Sequence, residues 1–335
     1  MRTRLIAAVV ALLLLAGCSP AATSASSPSG TAELPTPTIG LTYIPNVQFS
    51  PFYVAEADHD FTTAGVAPTL RHHGTSEGLF TAIAAGEEQF VVAGGDEMLQ
   101  ARAQGLDLVA VSAYYRSYPV VVIVPANSPV HSLADLKGHS IGIPGKYGES
   151  WFGLQVALHT AGLSESDVQV KEIGYTQQAA LTTAKVDAIV GFSNNEAVQF
   201  GLAGFATRSL PIASGTVPLV GASLITTADY AKANPAVVKA VVAGMLAGIT
   251  TTVTDPAHTL DASASYVPGL SGTAAQTAAK ATLAATNALW TTSSGAVDGS
   301  FEATQWTEMA DFMAAQGLTA QRVDPTPAFS NAYLG

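Results

Sequence analysis

One cysteine in 335 residues leaves no disulfide framework, no thiolate metal cluster and no paired redox thiols. Charge is also scarce, at 12% of residues, and basic charge scarcer still: 14 Lys+Arg stand against 25 Asp+Glu, a formal balance of −11. No two Lys or Arg are adjacent, so the chain lacks the basic stripe of a nucleic-acid binder. What it has in quantity is apolar residues, 48% of the total and spread along the chain, enough for a sizeable core. The length allows two domains or one large one.

The cysteine's position is informative. Arg2 and Arg4 precede twelve apolar residues, Leu5 to Ala16, a stretch too short for a mature membrane span but suited to a secretory leader. Leu15-Ala16-Gly17-Cys18 resembles the lipobox of bacterial lipoproteins. That resemblance implies a leader over 1–17, cleavage before Cys18 and acylation on it. Loss of the leader takes Arg2 and Arg4 with it and leaves 12 Lys+Arg against 25 Asp+Glu, or −13. From Cys18 to Pro37 the chain is rich in Ser, Ala, Thr and Pro without apolar periodicity, a tether with an average reach of roughly 25 Å or more. The expected location is extracytoplasmic, lipid-anchored to a bacterial cell membrane.

From Thr38 onward, β-rich apolar runs alternate with helical patterns, predicting α/β with largely parallel sheets. Expected strands are 38–43, 66–72, 89–93 and 106–112. Helices between them start at Ser50-Pro51, at Ser76 and at Asp96. A strand at 119–125 is expected to carry the chain out of the first sheet. A second series then follows: a short capped helix at 132–138 ending in glycine, strands at 140–143, 168–173 and 186–192, and helices at 150–161 and 176–185. A strand at 218–227 returns to the first lobe, and Ala/Thr-rich helices fill 235–254, 256–266, 273–290 and 302–316. The expected division is lobe I over 38–124 and 218–335, and lobe II over 125–217. This is a two-lobed clamp with two crossover strands and a helical C-terminal tail.

Ser132-Leu-Ala-Asp-Leu-Lys-Gly-His-Ser-Ile-Gly-Ile-Pro144 resembles the segment that opens the second lobe of periplasmic solute-binding proteins of ABC importers. The runs from Tyr43 to Ala55 and from Lys185 to Gly191, with the ending Val323 to Leu334, are similar to one branch of them. That branch binds sulfonates, nitrate, thiamine pyrimidine precursors and riboflavin, and includes the thiamine pyrimidine synthase. The resemblance implies a periplasmic-binding-protein-like fold, a small-molecule ligand and ABC permease subunits as partners. It implies a monomer and no cofactor.

Three loops fall at strand carboxyl ends, where open α/β sheets bind ligands. In the first, Asn46 offers donors and acceptors and Phe49 a ring wall; equally, Asn46 turns the chain and Phe49 is core. In the second, Tyr147, Gly148, Ser150 and Trp151 surround a helix start whose free N–H groups favour an oxygen; Ser150 is equally a cap and Trp151 a packing residue. In the third, Asn194 and Glu196 follow a strand. The resemblance implies that an acid at this position faces an amino-heterocycle, while the plainer alternative is that Asn194 caps the next helix and Glu196 complements its dipole. Gly95 and Asp96 are lesser candidates, and Tyr115, within Tyr114, Tyr115 and Tyr118, could stack a flat ligand or seal the lobes. His72-His73 lacks partners at ligand spacing, so no metal site is expected.

Sulfonates or nitrate would want cationic donors, which are few here, so a flat heterocycle is the expected ligand. An enzyme like the synthase is the other class. Its cysteine-rich stretch is absent from Ser209 to Ala222, and the position of its helix histidine falls at Asp96 or Glu97. The expectation is therefore a binder, not an enzyme.

Overall fold

The structure is a computed structural model that describes residues 33–74, 77–213 and 217–335. The leader, Cys18, most of the tether and the Ser76 cap lie outside the described residues.

The first sheet builds from β1 (Thr38–Leu41), β2 (Thr69–His72), β3 (Phe90–Gly94) and β4 (Leu108–Ala113), with β10 (Ala222–Thr227) from the return of the chain. The second builds from β5 (Val120–Pro125), β6 (Ser140–Ile143), β7 (Gln169–Glu172), β8 (Ala188–Phe192) and β9 (Thr207–Pro211). The strand orders are β2-β1-β3-β10-β4 and β7-β6-β8-β5-β9. In each sheet one late or early strand runs against the others. β10 is antiparallel to β3 and β4, and β5 to β8 and β9, so each sheet is mixed, with four strands running one way and one against them. The reason is topological: a chain that enters a sheet by crossing from the other lobe needs no βαβ connection.

β5 lies inside the second sheet, so the chain leaves the first sheet within 114–119 and not after residue 124, the expected boundary. Return runs through 212–221, up to β10. Val121 and Ile123, buried on one face of β5, pack with Ile189 and Phe200 of the second lobe.

Helices α1 (Ser50–Ala57), α2 (Asp60–Ala64), α3 (Thr81–Ala85) and α4 (Gly95–Ala103) dress the first sheet. α5 (Gly148–Thr160), α6 (Gln177–Thr182) and α7 (Glu196–Leu202) belong to the second, while α8 (Ala228–Ala233), α9 (Pro235–Thr254), α10 (Pro256–Ser263), α11 (Thr273–Trp290) and α12 (Ala303–Ala315) follow β10. Ser50 is the first helical residue of α1, not its cap; its hydroxyl bonds Ser263 Oγ at 2.7 Å instead. α5 likewise begins two residues before Ser150, with Tyr147 in the cap position. The short helix expected at 132–138 is a 3-10 turn over Leu133–Leu136, its Ser132 N–H and hydroxyl both donating to Asp135. α9 is long and apolar enough to cross a membrane, yet it packs on α1 and α2, and half of its most apolar stretch is buried in the fold.

Candidate functional site

Loops at the carboxyl ends of β1, β3, β6 and β8 face one another between the sheets, enclosing a cavity of about 790 Å³ with its open mouth included. From the first lobe, Thr42 and Tyr43 follow β1, Phe49 closes a 3-10 turn, Glu97 stands in α4, and Tyr114 and Tyr115 begin the crossover. From the second lobe come Pro144 and Tyr147 to Ser150 around the start of α5, and Phe192, Asn195 and Glu196 around the start of α7.

Of the residues singled out from sequence, Phe49, Tyr115, Tyr147, Gly148, Ser150 and Glu196 lie in this wall. Glu196 Oε2 accepts the Phe192 N–H at 2.8 Å and Oε1 the Asn195 amide at 3.2 Å, so the same side chain closes its own loop and faces the cavity. Burial raises its carboxyl above the ordinary value, against those hydrogen bonds. Phe49 sits edge-on to His72 at 5.6 Å between ring centres. Tyr115 is buried beside Tyr114, and burial pushes both phenols up, so each keeps its proton.

The other five are placed elsewhere. Asn46 Oδ1 accepts the Gln48 N–H at 2.9 Å, capping the 3-10 turn. Gly95 packs against Val220, which a Cβ would meet at 2.7 Å. Asp96 is fully buried behind the wall, and its Oδ1 takes the Glu97 N–H at 2.8 Å. Asn194 is buried and donates to Thr286 Oγ1 of α11 at 2.9 Å, bridging the lobes; it does not cap α7. Trp151 lines a second hollow with Phe80, Gln100 and Gln155, and Lys146 lies 5.2 Å from its ring centre.

Sequence reasoning left out Tyr43, Glu97, Glu149 and Phe192 as wall residues. Tyr43 opens the first of the chosen loops and meets Tyr175 of the second lobe edge-on at 4.5 Å. Glu149 reads from sequence as part of the loop before the expected helix at 150–161, and only the opposite lobe shows that it has acidic neighbours. His72 donates and accepts within Tyr53 and the Tyr43 carbonyl, while His73 bonds Glu88, which also pairs with Arg71. Arg71 reaches Glu77 as well, so a cation already stands between the two carboxylates of that group.

No Lys, Arg or His is among the described residues that line the cavity. Its chemistry is rings on several sides, hydroxyl and amide donors, and three carboxyl groups: Glu97, Glu149 and Glu196. Such a wall holds a flat molecule by stacking and reads donor groups on its edge.

The family model described as NMT1/THI5 like matches residues 46–259. The riboflavin-binding protein RibY of Chloroflexus aurantiacus is 31% identical over 97% of this chain and 96% of its own length. The formylaminopyrimidine-binding protein of Halalkalibacterium halodurans is 25% identical over 58% of this chain and 57% of its own. Among solved structures, the alkanesulfonate-binding protein SsuA of Xanthomonas axonopodis pv. citri superposes with a TM-score of 0.66 at 22% identity, covering 90% of this chain and 99% of that one. The architecture is that of the periplasmic binding proteins.

Proposed function

The chain belongs to the NMT1/THI5-like family, and from that premise we propose that it is the solute-binding component of an ABC importer for a flat, uncharged heterocycle, with riboflavin the first candidate. The observation that carries this is the cavity wall: aromatic rings with three carboxyl groups and no cationic side chain among the described residues. A sulfonate or nitrate would bring a fixed negative charge against those acids with no positive partner, a pairing that costs affinity. The isoalloxazine of riboflavin brings ring faces to stack and an N–H edge to donate. The 31% likeness to a riboflavin-binding protein over nearly the whole chain supports the same ligand. A thiamine pyrimidine precursor is the second reading, favoured by Glu196, whose carboxylate suits an exocyclic amino group.

The reading is of a binder and not an enzyme, holding its ligand unchanged between two lobes and passing it to a permease. Lipid on Cys18 would keep it at the membrane. Native mass spectrometry of protein from its own cells should recover the ligand intact, and calorimetry with riboflavin, an aminopyrimidine and an alkanesulfonate should rank them in that order. Tightest binding of the sulfonate would sink the proposal, and a chemically altered ligand would return the enzyme to consideration.

A further inference from the structure

We propose that Asp96, Glu97 and Glu149 form a proton-sharing clasp across the cleft, so that closing the lobes on a ligand takes up protons and the grip strengthens in acid. This rests on the clamp reading above but not on which heterocycle fills it. Asp96 and Glu97 come from α4 in the first lobe, and Glu149 from α5 in the second, yet carboxylate oxygens of all three lie within 4.8 Å of one another.

Gly94 makes the approach possible. A Cβ there would stand 2.3 Å from Asp96 Oδ1 and 2.9 Å from each Glu149 carboxylate oxygen, so the acid of one lobe is seated against bare backbone of the other. Hydrogen bonds satisfy only part of the group. Asp96 Oδ1 takes the Glu97 N–H at 2.8 Å and Glu97 Oε2 the Gly94 N–H at 3.1 Å, while Glu149 Oε1 is shielded from solvent without a partner.

The titratable neighbours are phenols. Tyr118, from the crossover, faces all three acids, and its buried hydroxyl is directed to Asp96; Tyr115 faces Glu149. No ion pair among the described residues reaches the cluster. Three carboxylates this close, without a cation, cannot all be ionised, and a proton held between two of them makes a short, strong hydrogen bond. Burial first and mutual repulsion second raise Glu97 and Glu149 well above the ordinary value, and burial pushes Asp96 up to about 7.

Opening the cleft separates Glu149 from the other two and returns water to them. The closed form therefore binds more protons than the open one between the ordinary carboxyl value of about 4 and the raised ones. Closure is favoured as pH falls and opposed as pH rises through that interval. For each proton taken up, the Kd of a ligand that needs closure rises up to about tenfold per pH unit. Because Glu97 and Glu149 also line the cavity, the proton they hold sits where a ligand's carbonyl could receive it as a hydrogen bond.

Two measurements on the full chain test this. Calorimetric titration with riboflavin in buffers of different ionisation enthalpy should show proton uptake and a Kd that rises with pH, both reduced in Glu149→Gln and Asp96→Asn. Small-angle scattering without ligand should show a larger radius of gyration at about pH 8.5 than at about pH 5, a difference lost in the same variants. Riboflavin binding without proton uptake, or with the same uptake in Glu149→Gln, overturns the clasp and leaves the proposed function standing. If riboflavin does not bind, the ligand assignment fails and scattering decides alone: expansion at high pH supports the clasp, and an unchanged curve overturns it.

Discussion

Glu196 stands at the first position of α7 with one carboxylate oxygen on the Phe192 N–H at 2.8 Å and the other on Asn195, while the same group faces the cavity. Glu196→Gln keeps the shape and one acceptor but removes the charge. A hydrogen bond to a charged group contributes about 1.5–3 kcal/mol, so affinity for riboflavin or an aminopyrimidine should fall roughly tenfold to a hundredfold by calorimetry. Melting temperature should fall too at acid and neutral pH, because the loop loses an acceptor. The pH course has a definite sign. Burial raises this carboxyl, so the folded protein holds its proton more tightly than the unfolded chain, and ionising it with rising pH removes stability. The variant has no such cost, so its stability deficit should shrink as pH rises; a deficit that widens would mean that the ionised form is the favoured one. At this scale the loops were legible from sequence but the pointing of side chains was not. Asn46 and Asn194 both looked like ligand contacts, and both spend their amides on the fold, one on the Gln48 N–H and one on Thr286. Which way a side chain turns in a three-residue loop depends on partners far along the chain, such as a helix 92 residues away from Asn194.

Helix α9 was legible to the residue because a proline starts it and a long apolar run sustains it. Its glycines show what sequence could not. A Cβ at Gly248 would lie 2.0 Å from the Pro51 carbonyl oxygen, and one at Gly244 would lie 2.2 Å from the Phe61 ring, so these two positions let α9 press onto α1 and α2. Gly248→Ala gains about 1 kcal/mol of helix propensity and meets an overpacking cost of about 1–3 kcal/mol. The obstacle is backbone, which cannot rotate aside, so the cost wins. The melting temperature should drop by a few degrees, at about 2–4 °C per kcal/mol for a chain of this order. Gly201→Ala is the opposite case: it is exposed in α7 with nothing within 4 Å of its Cβ, and it should raise the melting temperature. Equal effects from the two substitutions would show that propensity and not packing governs α9. Strands divide the same way. Buried apolar runs such as β3 and β5 announced themselves, whereas β9, Thr-Arg-Ser-Leu-Pro on a sheet edge, carries no apolar run and was not foreseen. β5 was foreseen as a strand but assigned to the wrong sheet, because pairing with β8 and β9 is fixed by contacts some seventy to ninety residues distant.

At the scale of the whole molecule, two lobes share one cavity and meet at Tyr43 with Tyr175, at Asn194 with Thr286 and at the three acids around Gly94. A clamp held near its permease delivers ligand at a high effective concentration. The body offers little to hold it at a membrane surface: the chain is acidic, with 25 Asp+Glu against 14 Lys+Arg, and anionic lipid headgroups repel such a charge. The anchor we propose is Cys18, whose lipobox context comes from sequence and which lies outside the described residues. One acyl chain gives marginal, reversible membrane binding and further chains make it stable. Cys18→Ser should therefore move the protein from the membrane fraction to the soluble one. None of the described residues that line the cavity belongs to the first 33, so the released protein should bind riboflavin as the anchored one does. Fractionation with a high-salt wash and a calorimetric titration of the soluble fraction check both halves. A variant that stays with the membrane through the wash would mean that some other contact holds it there, and the lipoprotein reading would have to be abandoned.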